Sequence, residues 1–134
     1  MALSVCDNGE LLALKALIGA AAQTEDFVIG LFTTNITPAE ADTAATYTVN
    51  EATGGGYARK TMTKASWVVS ANPITYPSQT WTFTGPLTGS ATIYGYFILR
   101  AATLDLVYSE NFGSTFQPLA NNDALTVNCQ LGAN

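Results

Sequence analysis

Asp105 and Glu110 could imitate a glycosidase pair, one carboxyl protonating a leaving group while the other attacks or activates water. Nothing in the sequence sets them across a cleft, so hydrolysis is not expected of them. The run Gly54-Gly55-Gly56-Tyr57-Ala58-Arg59-Lys60-Thr61 points toward a phosphate-binding loop. That motif needs a glycine directly before Lys-Thr, where Arg59 stands, and no helical pattern follows. The glycines read instead as a turn needing positive φ or a close backbone approach. The chain has no histidine, so a serine or cysteine nucleophile would lack its usual base. Cys6 and Cys129 lie near opposite ends, and zinc wants four clustered ligands, so no metal centre is expected. A disulfide between them would tie the ends together; two free, partly buried thiols are the plainer expectation. Trp67, Trp81, Tyr94 and Tyr96 offer aromatic faces that suit a sugar ring, although packing in a core or against a subunit accounts for them without a ligand. Arg59, Lys60 and Lys64 hold three of the 5 basic charges. On a strand Lys60 and Lys64 would share a face and Arg59 would point away, which is no basic stripe. Ordinary solvation, or pairing with Glu40, Asp42 or Glu51, is expected instead. These residues point away from an enzyme, and neither a cofactor nor a metal is expected.

The elements that must position them read mostly as β. Leu11 to Ala22 is apolar apart from Lys15 and suggests a short helix, with Asp7 or Asn8 as its cap and Glu10 in its first turn. Those acids argue against a signal peptide, and the run is too short to span a membrane. Leu11, Leu12, Leu14, Leu17 and Ile18 leave such a helix almost no face for water, so it is expected at an interface or under the β core. Phe27 to Phe32 is an apolar run of strand length, Asn35 to Ala45 a loop, and Thr46 to Val49 a short strand with Tyr47 and Val49 on one side. Arg59 to Ser70 should hold one or two strands. Thr80 to Thr84 alternates threonines with aromatics.

Ala91 to Arg100 is the strongest strand. It carries Ile93, Gly95, Phe97 and Leu99 on one face and Tyr94, Tyr96 and Ile98 on the other, which suits a central strand covered on both sides. A turn at Ala101 to Leu104 leads into Asp105 to Tyr108, followed by strands at Phe112 to Phe116 and Asp123 to Leu131. In the last of these, alternation places Cys129 on the apolar face. About eight strands at this spacing predict an all-β chain, an antiparallel β-sandwich with a short N-terminal helix. The expected organisation is one domain over residues 1–134, with 1–24 as an N-terminal arm and helix.

Of the 134 residues, 48% are hydrophobic and only 11% charged, against about a quarter charged in ordinary globular chains. A surface so poor in charge is expected to be covered in part by copies of itself or by a larger assembly. A net charge of -5 argues against general attraction to nucleic acid or to anionic membrane.

Glu51-Ala52-Thr53-Gly54-Gly55-Gly56-Tyr57-Ala58-Arg59-Lys60-Thr61, then Trp67, Tyr76-Pro77, Trp81-Thr82-Phe83 and Ile93-Tyr94-Gly95-Tyr96-Phe97-Ile98, resembles small virion proteins of tailed bacteriophages. The resemblance covers about residues 27–131. It implies a compact jelly-roll that trimerises and serves as capsid cement or decoration, or else as a receptor-binding knob on a tail appendage. It carries no catalytic residues. The expectation is therefore a structural virion protein made in the host cytoplasm and held on the capsid surface. Its partners would be its own copies in a homotrimer and the major capsid protein of the same phage, without direct contact to nucleic acid or membrane. Leu11, Leu12, Leu14, Leu17, Ile18, Tyr94 and Tyr96 are the expected interface residues.

Overall fold

Strands dominate the computed structural model, which describes residues 2–17, 25–69 and 74–131. In chain order the elements are β1 (Ala2–Val5), α1 (Asp7–Leu17), β2 (Phe27–Phe32), α2 (Ala44–Thr48), β3 (Lys60–Met62), β4 (Ile74–Thr75), β5 (Gln79–Thr82), β6 (Ile93–Arg100), β7 (Leu106–Phe116), β8 (Ala124–Val127) and β9 (Gln130–Leu131). A five-stranded antiparallel sheet runs β1-β7-β6-β2-β3, and two two-stranded antiparallel sheets pair β4 with β9 and β5 with β8. The chain is thus mostly β, built from antiparallel sheets with few helices.

β6 is the middle strand of the large sheet, as its two apolar faces require. The buried side chains divide accordingly. One cluster gathers Ile29, Leu31, Met62, Tyr96, Ile98 and Tyr108 with Trp81, Phe83 and Val127 from the β5–β8 pair. The other holds Phe32, Phe97, Leu99 and Leu106 with Cys6 and with Tyr47 of α2. Between β2 and β6 two glycines make room for two rings. Gly30 lies opposite Phe97 and Phe32 opposite Gly95. A Cβ on Gly30 would come within 2.5 Å of the Phe97 ring. Each ring covers the glycine across from it, which restores packing that a bare strand position would lose.

The sequence expectations meet this fold unevenly. The alternation at Thr80 to Thr84 holds: Trp81 and Phe83 are buried and the threonines exposed. The turn before β7 also holds, closed by Leu104 N–H to the Arg100 carbonyl at 3.0 Å. Helix α1 begins at Asp7, so Asp7 and Glu10 both sit in its first turn, while residues beyond Leu17 in the expected helix lie outside the described ones.

The expected strand at Thr46–Val49 is instead the end of α2. Thr43 stands before the helix, and the Thr46 hydroxyl accepts the Thr43 N–H at 3.2 Å, the returning half of a capping box. Tyr47 is driven into the second cluster while Val49, expected beside it, is 77% exposed. Of the strands expected in Arg59–Ser70, only Lys60–Met62 forms. A 3₁₀ turn at Lys64–Ser66 follows, so Lys60 and Lys64 share no strand face. Phe112–Phe116 continues β7 rather than forming its own strand, and Asp123–Leu131 is broken into β8 and β9. The count among the described residues is nine short and long strands rather than eight.

A register shift between Ile93 and Gly95 overturns the expected faces of β6. The pairing passes from Ile93↔Phe116 to Gly95↔Asn111, so β7 carries extra residues across that step and the alternation breaks there. Ile93 therefore packs with Tyr96 and Ile98, and Tyr94 leans on the cluster holding Phe97 and Leu99.

Candidate interaction surface

Helix α1 lies against β7. Gly9 is the point of closest approach, where a Cβ would strike the Val107 carbonyl oxygen. The Cys6 thiol donates to the Leu106 carbonyl at 2.7 Å, and the Asp7 N–H donates to the Glu40 carbonyl at 3.0 Å, which fixes where the helix starts. With that flank seated on the sheet, other apolar side chains are left outside. Leu11 is 48% exposed and Leu17 82% exposed, while Leu12 is half-buried. Leu14 belongs to α1 by its backbone, but its side chain, like all of Ile18, lies outside what is described. The helix is thus neither wholly buried under the sheets nor wholly covered.

The two expected aromatic interface residues part company. Tyr94 is half-buried. Tyr96 is 0% exposed, ringed by Tyr108 and Phe112 at centroid distances of 6.5 and 6.0 Å. Its ring is buried in the monomer, on the same face as Ile98, and is not part of an exposed surface.

The other chemistry-bearing residues are mostly occupied with holding the fold. The Gly54-Gly55-Gly56 turn has φ of 78°, 56° and 76°, all in the region that favours glycine. It turns the chain so that Tyr57 and Arg59 reach back to Glu51. The Tyr57 hydroxyl donates to Glu51 Oε1 at 2.7 Å and accepts the Leu31 N–H at 3.0 Å. Arg59 donates through Nε to Oε1 at 2.8 Å and through a terminal nitrogen to Oε2 at 2.6 Å, a two-pronged, charge-assisted pair. Glu51 raises the Arg59 pKa, and burial raises that of Tyr57. Of the three acids expected to pair with the basic residues, Glu51 is the one that does so with Arg59. Lys60 lies over the Trp81 ring, 5.6 Å from its centroid.

No sugar platform forms from the four aromatic residues. Trp81 is buried with its indole N–H donating to the Ala58 carbonyl at 2.8 Å, and Trp67 packs edge-on against Phe27 and Tyr76. Cys6 and Cys129 are both free and both buried, the former in the cluster of Phe97, the latter in that of Tyr96. Burial raises the Cys6 pKa and pushes the Cys129 thiol up to about 12.

Asp105 and Glu110 do not face each other across a cleft. Asp105 sits at the β6–β7 turn, where it accepts the Thr103 hydroxyl and pairs at 3.9 Å with Arg100. Glu110 is on β7 and only 8% exposed. The glycosidase arrangement is thereby removed, and a buried acid without an obvious role takes its place.

Among the described residues no group of three or more histidine, cysteine or acidic side chains could hold a metal ion, and no helix is long and apolar enough to cross a membrane. No protein-family model, curated protein or solved structure matches the chain.

Proposed function

We propose that this protein is a structural component of a tailed-bacteriophage particle, a homotrimeric capsid cement or decoration protein seated on the capsid surface. The observation that carries the reading is the outer flank of α1. Leu11 and Leu17 stand in water on a helix whose inner flank is already docked at Gly9, in a chain with 11% charged residues. Exposed leucines on a rigidly seated helix are unfavourable in a free monomer and favourable once a neighbouring copy covers them. Around a three-fold axis three such helices would cover one another, and the trimer would present the same contacts to several major capsid subunits at once. Weak contacts would then add through effective concentration. The mechanism is mechanical rather than catalytic: added contacts between shell subunits oppose outward pressure from packaged nucleic acid. The finer fold expectation, a jelly-roll sandwich, belongs with this reading. It draws support from the β5–β8 pair sharing a buried cluster with one face of the large sheet.

Light scattering on the protein alone tests the oligomer. A trimer is expected that falls to monomer in the double variant Leu11→Asp, Leu17→Asp, with an unchanged circular dichroism spectrum. A monodisperse monomer of the unaltered chain would overturn the reading. Copy number in purified particles then separates the shell from a tail appendage: hundreds of copies place it on the shell, and tens or fewer make it a receptor-binding knob.

A further inference from the structure

A cavity of about 570 Å³ opens where β7 meets the β8–β9 segment, lined by Tyr96, Glu110, Phe112, Thr126, Val127, Asn128 and Gln130. Its buried lining is Tyr96, Glu110 and Val127, its half-buried wall is Phe112, and its rim is the exposed Thr126, Asn128 and Gln130. The rim is held in place. The Thr126 and Thr80 hydroxyls are 2.8 Å apart, Ser78 Oγ donates to Asn128 Oδ1 at 2.5 Å, and the Tyr108 hydroxyl donates to the Gln130 carbonyl at 2.8 Å. A second cavity of about 350 Å³ shares Phe112 and Thr126 with the first, so the space continues past the ring.

Two polar groups in this lining are unfinished. The Tyr96 hydroxyl is wholly buried, makes no hydrogen bond of good geometry among the described residues, and lies beside the Glu110 carboxylate. Glu110 is only 8% exposed, yet none of the ion pairs among the described residues involves it. Arg59 is taken by Glu51, and Arg100 by Glu25 and Asp105. Burial pushes up Tyr96, Tyr108 and Cys129; the Glu110 carboxylate raises Tyr96 further through a hydrogen-bonding contact and through its charge, and raises Tyr108 and Cys129 through its charge, so at neutral pH the three surround it as neutral groups. A carboxylate that lines a cavity without a counter-charge attracts a cation, and a buried hydroxyl without a well-placed partner is costly. A ligand that brings hydrogen-bond donors and a positive charge answers both.

The lining narrows that ligand. Glu110 repels an anion. A hard divalent cation wants six or more oxygens, usually from several carboxylates, and the cavity offers one. A single organic cation fits better: its N–H groups would donate to Glu110, to the Tyr96 oxygen and to the rim amide oxygens. The Phe112 ring and Val127 would cover an apolar stem, the ring adding attraction for the charge.

We propose that this cavity binds an ammonium or guanidinium group carried on a short aliphatic stem, with Glu110 as its counter-ion. The proposal does not depend on the virion reading. The cation has two possible sources, a lysine or arginine side chain of a partner protein or a small free amine.

The test titrates isotopically labelled protein with n-butylguanidinium, n-butylammonium and n-butanol at matched ionic strength, following the amides of residues 108–112 and 126–130. Saturable shifts are expected for both cations, with a Kd on the order of a millimolar, and none for the alcohol. E110Q should weaken the cations by about tenfold or more. Equal shifts from cation and alcohol, no saturable shift at all, or undiminished binding to E110Q would each overturn the proposal. The cation–alcohol comparison uses the unaltered protein and so stands even if E110Q fails to fold. N-acetylarginine methylamide separates the sources. If it binds as tightly as n-butylguanidinium, the site takes a partner's side chain; if it is excluded while the bare cation binds, the site takes a free amine.

Discussion

Glu51 and Glu110 are both acids drawn into the body of the protein, and the surroundings treat them in opposite ways. Glu51 receives a two-pronged Arg59 and the Tyr57 hydroxyl, so each carboxylate oxygen is engaged by the protein itself. Glu110 lines a cavity beside the buried Tyr96 hydroxyl, and no cation of the described residues pairs with it. An acid closed by its own chain holds a fold together. An acid left open holds a place for something else. The difference arises from topology: the glycine turn folds the chain back on Glu51 locally, whereas the wall opposite Glu110 comes from β8 and β9, which pair with β5 and β4 and not with a strand of the large sheet.

The comparison breaks most severely at the turn that serves Glu51. Gly55→Val should cost about 3–5 kcal/mol, because φ of 56° suits a β-branched residue badly and a Cβ there would lie 2.6 Å from the Gly85 carbonyl oxygen. Chemical denaturation would measure it, and an unchanged midpoint would show that Tyr57 and Arg59 reach Glu51 without the turn. Next in size is Glu51→Gln, which leaves Arg59 without its counter-charge. The Glu51–Arg59 pair is partly solvated, with side chains 16% and 29% exposed, so a loss of about 1–3 kcal/mol is expected.

Alkaline pH sharpens the other half. An acidic group whose pKa is raised on folding stabilises the folded state fully below its unfolded pKa, and that contribution is lost as pH climbs toward the folded value. Cys129, raised from 9.0 to about 12, therefore withdraws stability between those values. Tyr96 and Tyr108, raised above 10.0, withdraw theirs from that point upward. Each group contributes a slope of about 1.4 kcal/mol per pH unit while it is titrating in the unfolded chain alone. Melting curves from pH 8 to 11 should fall steadily. Glu110→Gln, by removing one cause of the raised values, should make the total fall smaller; an identical fall would place Glu110 too far from these groups to matter.

Sequence reasoning saw one of these two acids better than the other. Pairing of Arg59 with a nearby acid, and the positive-φ glycines, were legible because both are local in the chain. So were the alternation of Trp81 and Phe83 and the central place of β6, whose two apolar faces demand cover. What escaped is non-local or depends on how two strands pair. The register shift at Ile93–Gly95 changes no composition, yet it brings Ile93 to the face of Tyr96 and Ile98 and turns Tyr94 to the opposite one. Thr46–Val49 has β-branched and aromatic residues, but the Thr43–Thr46 contact and the burial of Tyr47 win for helix. Glu110 did leave a trace: Tyr108, Glu110 and Phe112 alternate with Ser109 and Asn111, placing an acid on an apolar strand face. That pattern marks a buried carboxylate, but not the cavity beside it, which needs residues 126–130 brought across from another sheet.

Side-by-side thermal unfolding of Glu51→Gln and Glu110→Gln at neutral pH, without added amines, tests most directly the claim that one acid is closed and the other held open. Glu51→Gln should lower the Tm. Glu110→Gln should leave it unchanged or raise it slightly, because no ion pair of the described residues is lost with that carboxylate. A Tm lowered to a similar degree in both variants would contradict the account, since it would mean that the fold already satisfies Glu110 as fully as it does Glu51.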